Sequence, residues 1–266
     1  APPFPTCRVS SMLLRHPSAS LIDLRARGLG GRAAHRVIVP RVSTPARAGA
    51  GATGADGLHP DIRTTLFSEE QLRDAVSRLG REIGNDYSGK SMLLVGVLKG
   101  CYMFHADLAR AITPEPAVFE IDFLKASSYL PGALETSGKV NIAEGFDMSN
   151  VAGKHVLVVE DIIDSGLTLT AITELLRTEG RAASVKVVTL LDKRARRKVV
   201  FDADYVGFDC PDEFVVGYGI DYSERFRFLP YIGTPTQVAI DRIAAEYKAM
   251  REVDETFAFQ SDDPTD

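Results

Sequence analysis

The chain has 266 residues, 45% of them apolar and 25% charged, the balance of a globular protein long enough to bury a sizeable core. Its longest apolar runs fall well short of the ~20 residues that a membrane-spanning helix needs. The net charge of −5 conceals a split: residues 1–55 hold eight arginines, no lysine and one acid, a net of +7, against −12 for the remainder. So acidic a body argues against non-specific nucleic-acid binding. The three cysteines, Cys7, Cys101 and Cys210, are too few and too far apart for a disulfide framework or a zinc site, and fit a reducing compartment.

Taken in order, residues 1–56 form an extension rich in Arg, Ala, Ser, Pro and Gly. That composition is the one found in organelle transit segments, plastid or mitochondrial, and also in plain disordered tails. A domain is expected over residues 57–252, followed by an acidic disordered tail at 253–266. Within the domain the spacing predicts a helix over 68–83, N-capped by Ser68 with Glu69 and Glu70 in its first turn, with Leu72, Val76, Leu79 and Ile83 as its apolar stripe and Gly84 as its stop. Met92 to Leu98 is an apolar run of strand length that ends in Lys99-Gly100. A helix over 101–112 follows, ended by Thr113-Pro114, then a strand over 118–125 with one less buried face. Residues 126–139 are a polar loop of the length used for active-site lids.

The next stretch organises the chain. Val156 to Val159 reads as a short buried strand, Glu160-Asp161 as an acidic loop, and Asp164-Ser165-Gly166-Leu167-Thr168 as the entrance of a helix whose apolar face is Leu169, Ile172, Leu175 and Leu176 and whose stop is Gly180. A small-residue loop at a helix N-terminus offers backbone N–H groups and a positive dipole end to a phosphate. Two carboxylates beside it suit the hydroxyls of a diol or a magnesium ion. A phosphorylated sugar fits such a stretch by both its ends. Further strands are expected over 185–191, 205–208, 214–219 and 230–233, with a basic segment at 194–198 and a last amphipathic helix over 237–250. Strands alternating with helices predict an α/β fold with a parallel sheet covered on both faces.

The segment Glu160-Asp161-Ile162-Ile163-Asp164-Ser165-Gly166-Leu167-Thr168 resembles the phosphoribosyl-pyrophosphate (PRPP) motif of the type I phosphoribosyltransferases. Leu98-Lys99-Gly100, Ser128-Tyr129, Asp192-Lys193 and the run Phe214 to Tyr222 agree in order with the hypoxanthine-guanine branch of that family, in its bacterial style, over about residues 62–233. The resemblance implies a Rossmann-like parallel core with a small hood subdomain. It implies transfer of the phosphoribosyl group from PRPP to hypoxanthine or guanine, giving IMP or GMP and pyrophosphate, with magnesium as cofactor, in a homodimer or homotetramer that needs neither nucleic acid nor membrane. The family default is cytoplasmic; the extension points to a plastid or mitochondrion if it is a transit segment.

The same resemblance assigns roles. Glu160 and Asp161 would hold the ribose hydroxyls directly or through magnesium, and Ser165, Gly166, Leu167 and Thr168 would cradle the 5′-phosphate. Leu167 offers only its backbone there, so a lysine role at that place does not carry over. Asp164 would handle the proton at purine N7; as an acid at a helix start it also complements the dipole. Lys99 and Gly100 would form a pyrophosphate loop, often with a cis peptide before the lysine, and Arg227 a further pyrophosphate contact. Ser128 and Tyr129 would close over the site as a lid. Lys193 would donate to the purine 6-oxo group, Phe214 would stack on the base, Val215 would read its edge, and Asp221 would bind magnesium beside the base and the pyrophosphate. Taken singly, Lys99 reads as a surface lysine and Phe214 and Val215 as core residues. The alternative to an enzyme is a regulator of the same fold that binds PRPP or nucleotides without turnover.

Overall fold

The computed structural model describes residues 58–127, 141–142 and 146–260. A six-stranded sheet has the order β4-β3-β2-β5-β6-β7, from Asn141–Ile142 (β4), Val118–Ser127 (β3), Ser91–Leu98 (β2), His155–Ile163 (β5), Ser184–Asp192 (β6) and Tyr205–Asp209 (β7). Five of these strands run parallel, and the short β4 joins β3 antiparallel at the edge. The interior strands are continuous apolar runs because both faces are covered. Leu94, Leu157, Val159 and Leu190 pack under the helices α1 (Glu69–Tyr87) and α2 (Tyr102–Ala111). Leu93, Val95, Val158 and Val187 pack on the other face with Ile172 and Leu176 of α3 (Leu167–Thr178).

After β2 the chain moves to β3 on one side and then to β5 on the other. The switch point therefore lies between the carboxyl ends of β2 and β5, where open α/β sheets bind ligands. Lys99-Gly100 follows the first of these ends, and Glu160-Asp161 lies at the second.

A second, two-stranded antiparallel sheet pairs β1 (Ile62–Phe67) with β8 (Ile232–Pro235). It has its own apolar cluster of Ile62, Val216, Phe226, Leu229 and Ile243, the last from helix α4 (Gln237–Gln260). This is the expected small hood.

Several boundaries differ from the sequence reading. Ser68 does cap α1, with a reciprocal capping box to Gln71, but the helix runs through Gly84 to Tyr87. Gly84 lies against the backbone of Thr113, which a Cβ would meet at 2.4 Å, so it permits a close approach between elements instead of ending the helix. β1 was not expected. Residues 214–219 are not a strand: Gly217, Tyr218 and Gly219 all have positive φ, and only isolated bridges form there. The last strand starts at Ile232, two residues later than expected. Helix α4 continues to Gln260, so the domain boundary expected at 252/253 falls inside a helix; the sequence has no Gly or Pro between Arg251 and Gln260 to stop it. The 1–56 extension and most of the 126–139 loop, with Ser128 and Tyr129, lie outside the described residues.

Candidate active site

The two acids do not sit in a loop. β5 continues through them, pairing Glu160 with Thr189, Ile162 with Leu191 and Ile163 with Asp192, because β6 is long enough to supply partners. Both carboxyl groups are thereby held at the sheet end. Asp161 meets the Lys99-Gly100 loop so closely that a Cβ at Gly100 would stand 1.8 Å from its Oδ2. Burial pushes the Asp161 carboxyl up to about 6, against the backbone amides that lower it and the nearby Arg227. Burial and the Asp161 charge push Glu160 well above the usual carboxylate range. Glu160 Oε2 is buried with no hydrogen-bond partner, which leaves it open to a water, a ligand or a cation. Beneath both acids lies the fully buried Cys101, whose thiol is pushed up first by burial and then by their charges.

β5 feeds directly into the small-residue loop Asp164 to Gly166. Gly166 takes the left-handed N-cap position of α3 (φ 81°) and has no side chain to cap it, while the Leu167 amide donates to Ser165 Oγ at 3.4 Å. The helix starts at Leu167, earlier than the apolar spacing indicates, so Leu167 and Thr168 contribute first-turn amides, the groups that lack intrahelical acceptors. The segment 194–198, expected only as a basic stretch, and the residues after it to 201 fold over this loop. Lys198 N donates to Ser165 O at 2.9 Å, and Arg197, Val199 and Phe201 close around Gly166. Asp192, fully buried, accepts from Arg194 Nε at 2.9 Å and also from Arg197. Neither Asp192 nor Arg197 was singled out, although Asp192 belongs to a quoted motif; an acid at a strand end just before a run of arginines was the available signal.

Lys193 and Phe214 come from the end of β6 and the turn after β7. Lys193 is only 6% exposed, its amide donates to Ile163 O at 3.0 Å, and its ammonium donates to Glu213 O at 2.7 Å with Asp212 Oδ1 at 3.3 Å. Asp164 is exposed on the adjacent loop. Phe214 is 47% exposed, its ring edge-on to Tyr222 at 5.2 Å, while Val215 is buried. A half-open aromatic beside a buried lysine is an arrangement for a planar, polar-edged ligand.

At the other end, the Leu98–Lys99 peptide is cis, as the resemblance implies. Arg227 Nη1 donates to Gly219 O at 2.8 Å, and its Nη2 pairs with Asp221 Oδ1 at 2.9 Å. Asp221 also accepts from the Glu224 amide at 2.7 Å. Its contacts therefore lie on the Lys99 and Arg227 side of the group. Glu224, unmarked in the sequence, sits between Lys99 (3.0 Å) and Arg227 (3.3 Å). A separate cavity of about 570 Å³ between α1 and α2, lined by Leu72, Met103, Asp107 and Phe228, lies apart from these residues.

Three comparisons bear on this arrangement. The family described as "Phosphoribosyl transferase domain" matches residues 63–223. The hypoxanthine-guanine phosphoribosyltransferase of Bacillus subtilis is 49% identical over 173 residues, 65% of this chain and 93% of that protein. The bifunctional protein TilS/HprT of Listeria monocytogenes is also 49% identical, over 68% of this chain but 27% of its own length, so the chain spans about a quarter of that relative. Among solved structures, a hypoxanthine phosphoribosyltransferase from Staphylococcus aureus superposes with a TM-score of 0.62 at 44% identity, covering 67% of this chain and 94% of that one. With its five parallel strands, its switch-point acids and the small-residue loop that opens α3, this chain belongs to the phosphoribosyltransferase family, in the branch of the hypoxanthine-guanine enzymes.

Proposed function

We propose that the chain transfers the 5-phosphoribosyl group of PRPP to N9 of hypoxanthine or guanine, forming IMP or GMP and pyrophosphate, as a purine salvage transferase. The observation that carries this reading is the continuity of one backbone path. β5 runs through Glu160-Asp161 to Ile163, the chain then passes Asp164, and α3 opens at Leu167 behind Gly166, while Ile163 O anchors the amide of Lys193 just after the next strand. Ribose, phosphate and base subsites are thereby fixed on adjoining rigid elements, which is what a displacement between two bound reactants requires.

In the reaction the C1′–N9 bond forms as the bond from C1′ to pyrophosphate breaks, and the base sheds one proton. Asp164 is the group placed to take that proton at N7. The ammonium of Lys193 donates to the 6-oxo oxygen; adenine, with an amino group there, would leave the lysine facing a donor. Phe214 supplies a stacking face, and Val215 reads the base edge through its backbone. Lys99, with the Gly100 loop, and Arg227 hold the leaving pyrophosphate, and Ser128 and Tyr129 would close over it. Glu160, Asp161 and Asp221 are the residues that would hold magnesium, whose chemistry is to neutralise charge on the departing pyrophosphate. Their fit rests on hard oxygen donors and on the unpartnered, buried Oε2 of Glu160. Among the described residues no three or more acidic, His or Cys side chains come together as a metal site by themselves.

A turnover assay with PRPP and hypoxanthine tests the proposal: IMP and pyrophosphate should form in equal amounts. Tight PRPP binding without product would instead make the chain a regulator. For the extension 1–56 we propose organelle targeting, checked by fusing it to a fluorescent reporter; a diffuse signal would exclude it. No helix among the described residues is long and apolar enough to cross a membrane. Homodimer or homotetramer assembly is proposed as well, and is read directly from light scattering.

A further inference from the structure

Glu224 has no role in the reaction as written, yet it is built into the centre of the pyrophosphate end. Its Oε1 lies 3.0 Å from Lys99 Nζ and 3.3 Å from Arg227 Nη2, and its Oε2 accepts from Arg227 Nε at 3.4 Å. The turn that carries it is committed to this placement. Ser223, Glu224 and Phe226 all have left-handed backbone (φ 50°, 64° and 70°), a region that residues with side chains seldom adopt, and the Glu224 amide is pinned by Asp221 Oδ2 at 2.7 Å.

We infer that Glu224 is an internal counter-anion: its carboxylate occupies the oxygen positions that pyrophosphate takes up between Lys99 and Arg227, and must leave for a pyrophosphate-bearing ligand to bind. Two features separate this role from one of simply positioning the cations. Arg227 has independent anchors in Asp221 and the Gly219 carbonyl, so it stays in place without Glu224. The side chains of Lys99 and Glu224 are 57% and 63% exposed, so their pair is weak and the carboxylate has room to swing into solvent. A carboxylate cannot share the two cations with phosphate oxygens, because like charges at that distance repel. The consequence is selectivity. A weakly charged anion such as inorganic phosphate competes poorly with the resident carboxylate, whereas pyrophosphate carries enough charge to displace it.

The inference rests on reading Lys99 and Arg227 as pyrophosphate contacts, and the experiment separates the two. Pyrophosphate with magnesium is titrated by calorimetry into the full chain and into its Glu224→Gln and Glu224→Ala variants, and KM for PRPP and for hypoxanthine is measured on each. Removing an exposed competing pair should tighten pyrophosphate binding about two- to five-fold. KM for PRPP should fall by a similar factor, with KM for hypoxanthine unchanged. The two substitutions, one isosteric and one truncating, should agree. Binding that is equal or weaker in both variants overturns the inference and makes Glu224 a positioning residue. Absence of binding by the unmodified chain overturns the reading of Lys99 and Arg227, and the inference with it.

Discussion

Lys193 and Asp164 show how a residue's chemistry depends on what fixes it. Lys193 is buried and its ammonium already has the Glu213 carbonyl and Asp212 as partners, so it is aimed before any base arrives. Substituting Lys193→Gln keeps length and polarity but lets the side chain both donate and accept. The preference for hypoxanthine over adenine should drop at least ~10-fold in kcat/KM, since discrimination by a buried hydrogen-bonding group is what is removed. Selectivity that survives the substitution would place base reading elsewhere. Asp164→Asn should lower kcat by about 10²-fold or more, the range for loss of a general acid–base group, with little change in KM for PRPP; single-turnover rates decide this. Both residues stand out in the sequence because their types match a motif and a reaction. Glu224, Asp192 and Arg197 do not. An exposed acid in a loop, or an arginine in a basic run, looks the same in sequence whether it faces solvent or a neighbouring charge.

At the scale of elements, legibility followed burial. β2, β5 and β6 were readable because strands covered on both faces are continuous apolar runs. The run at 214–219 has the same composition but folds as a turn, and composition does not report positive φ. β1, a strand of the small hood sheet, mixes exposed and buried positions without a clean period. The reach of β5 through Glu160-Asp161 was hidden because charge argues for a loop, while pairing with Thr189 and Leu191 wins where burial leaves the acids ready for ligand. Elements are also tied by polar contacts that no periodicity shows. Asp86, near the end of α1, accepts from Tyr205 of β7 at 2.6 Å and from Lys186 of β6 at 3.0 Å. Tyr205 is buried, so Tyr205→Phe preserves packing and deletes two hydrogen bonds, one to Asp86 and one accepted from Lys186 Nζ at 2.9 Å. It should lower unfolding stability by about 1 kcal/mol without altering kcat, as measured by denaturant melts beside turnover.

For the molecule as a whole, the strand order brings Lys99, Glu160-Asp161 and Lys193 to the carboxyl ends of β2, β5 and β6, the ends that the alternation of strands and helices marks for ligands. Stability should follow pH through His105. Its ring is buried against Phe123 at 4.5 Å, and burial lowers its proton affinity below the ordinary value of 6.5. The unfolded chain therefore takes up the proton first, so this contribution is complete above about pH 6.5 and is lost as pH falls further. The melting temperature should decline between pH 7 and 5, and His105→Leu should flatten that decline; an unchanged slope would assign acid sensitivity to other groups. The central claim is that this end of the sheet joins PRPP to a 6-oxopurine. Steady-state kcat/KM for hypoxanthine, guanine, xanthine and adenine, each with PRPP and magnesium, tests it most directly. The account predicts turnover with hypoxanthine or guanine, equimolar pyrophosphate, and adenine disfavoured by several orders of magnitude; equal use of adenine, or no turnover with any of the four, would contradict it.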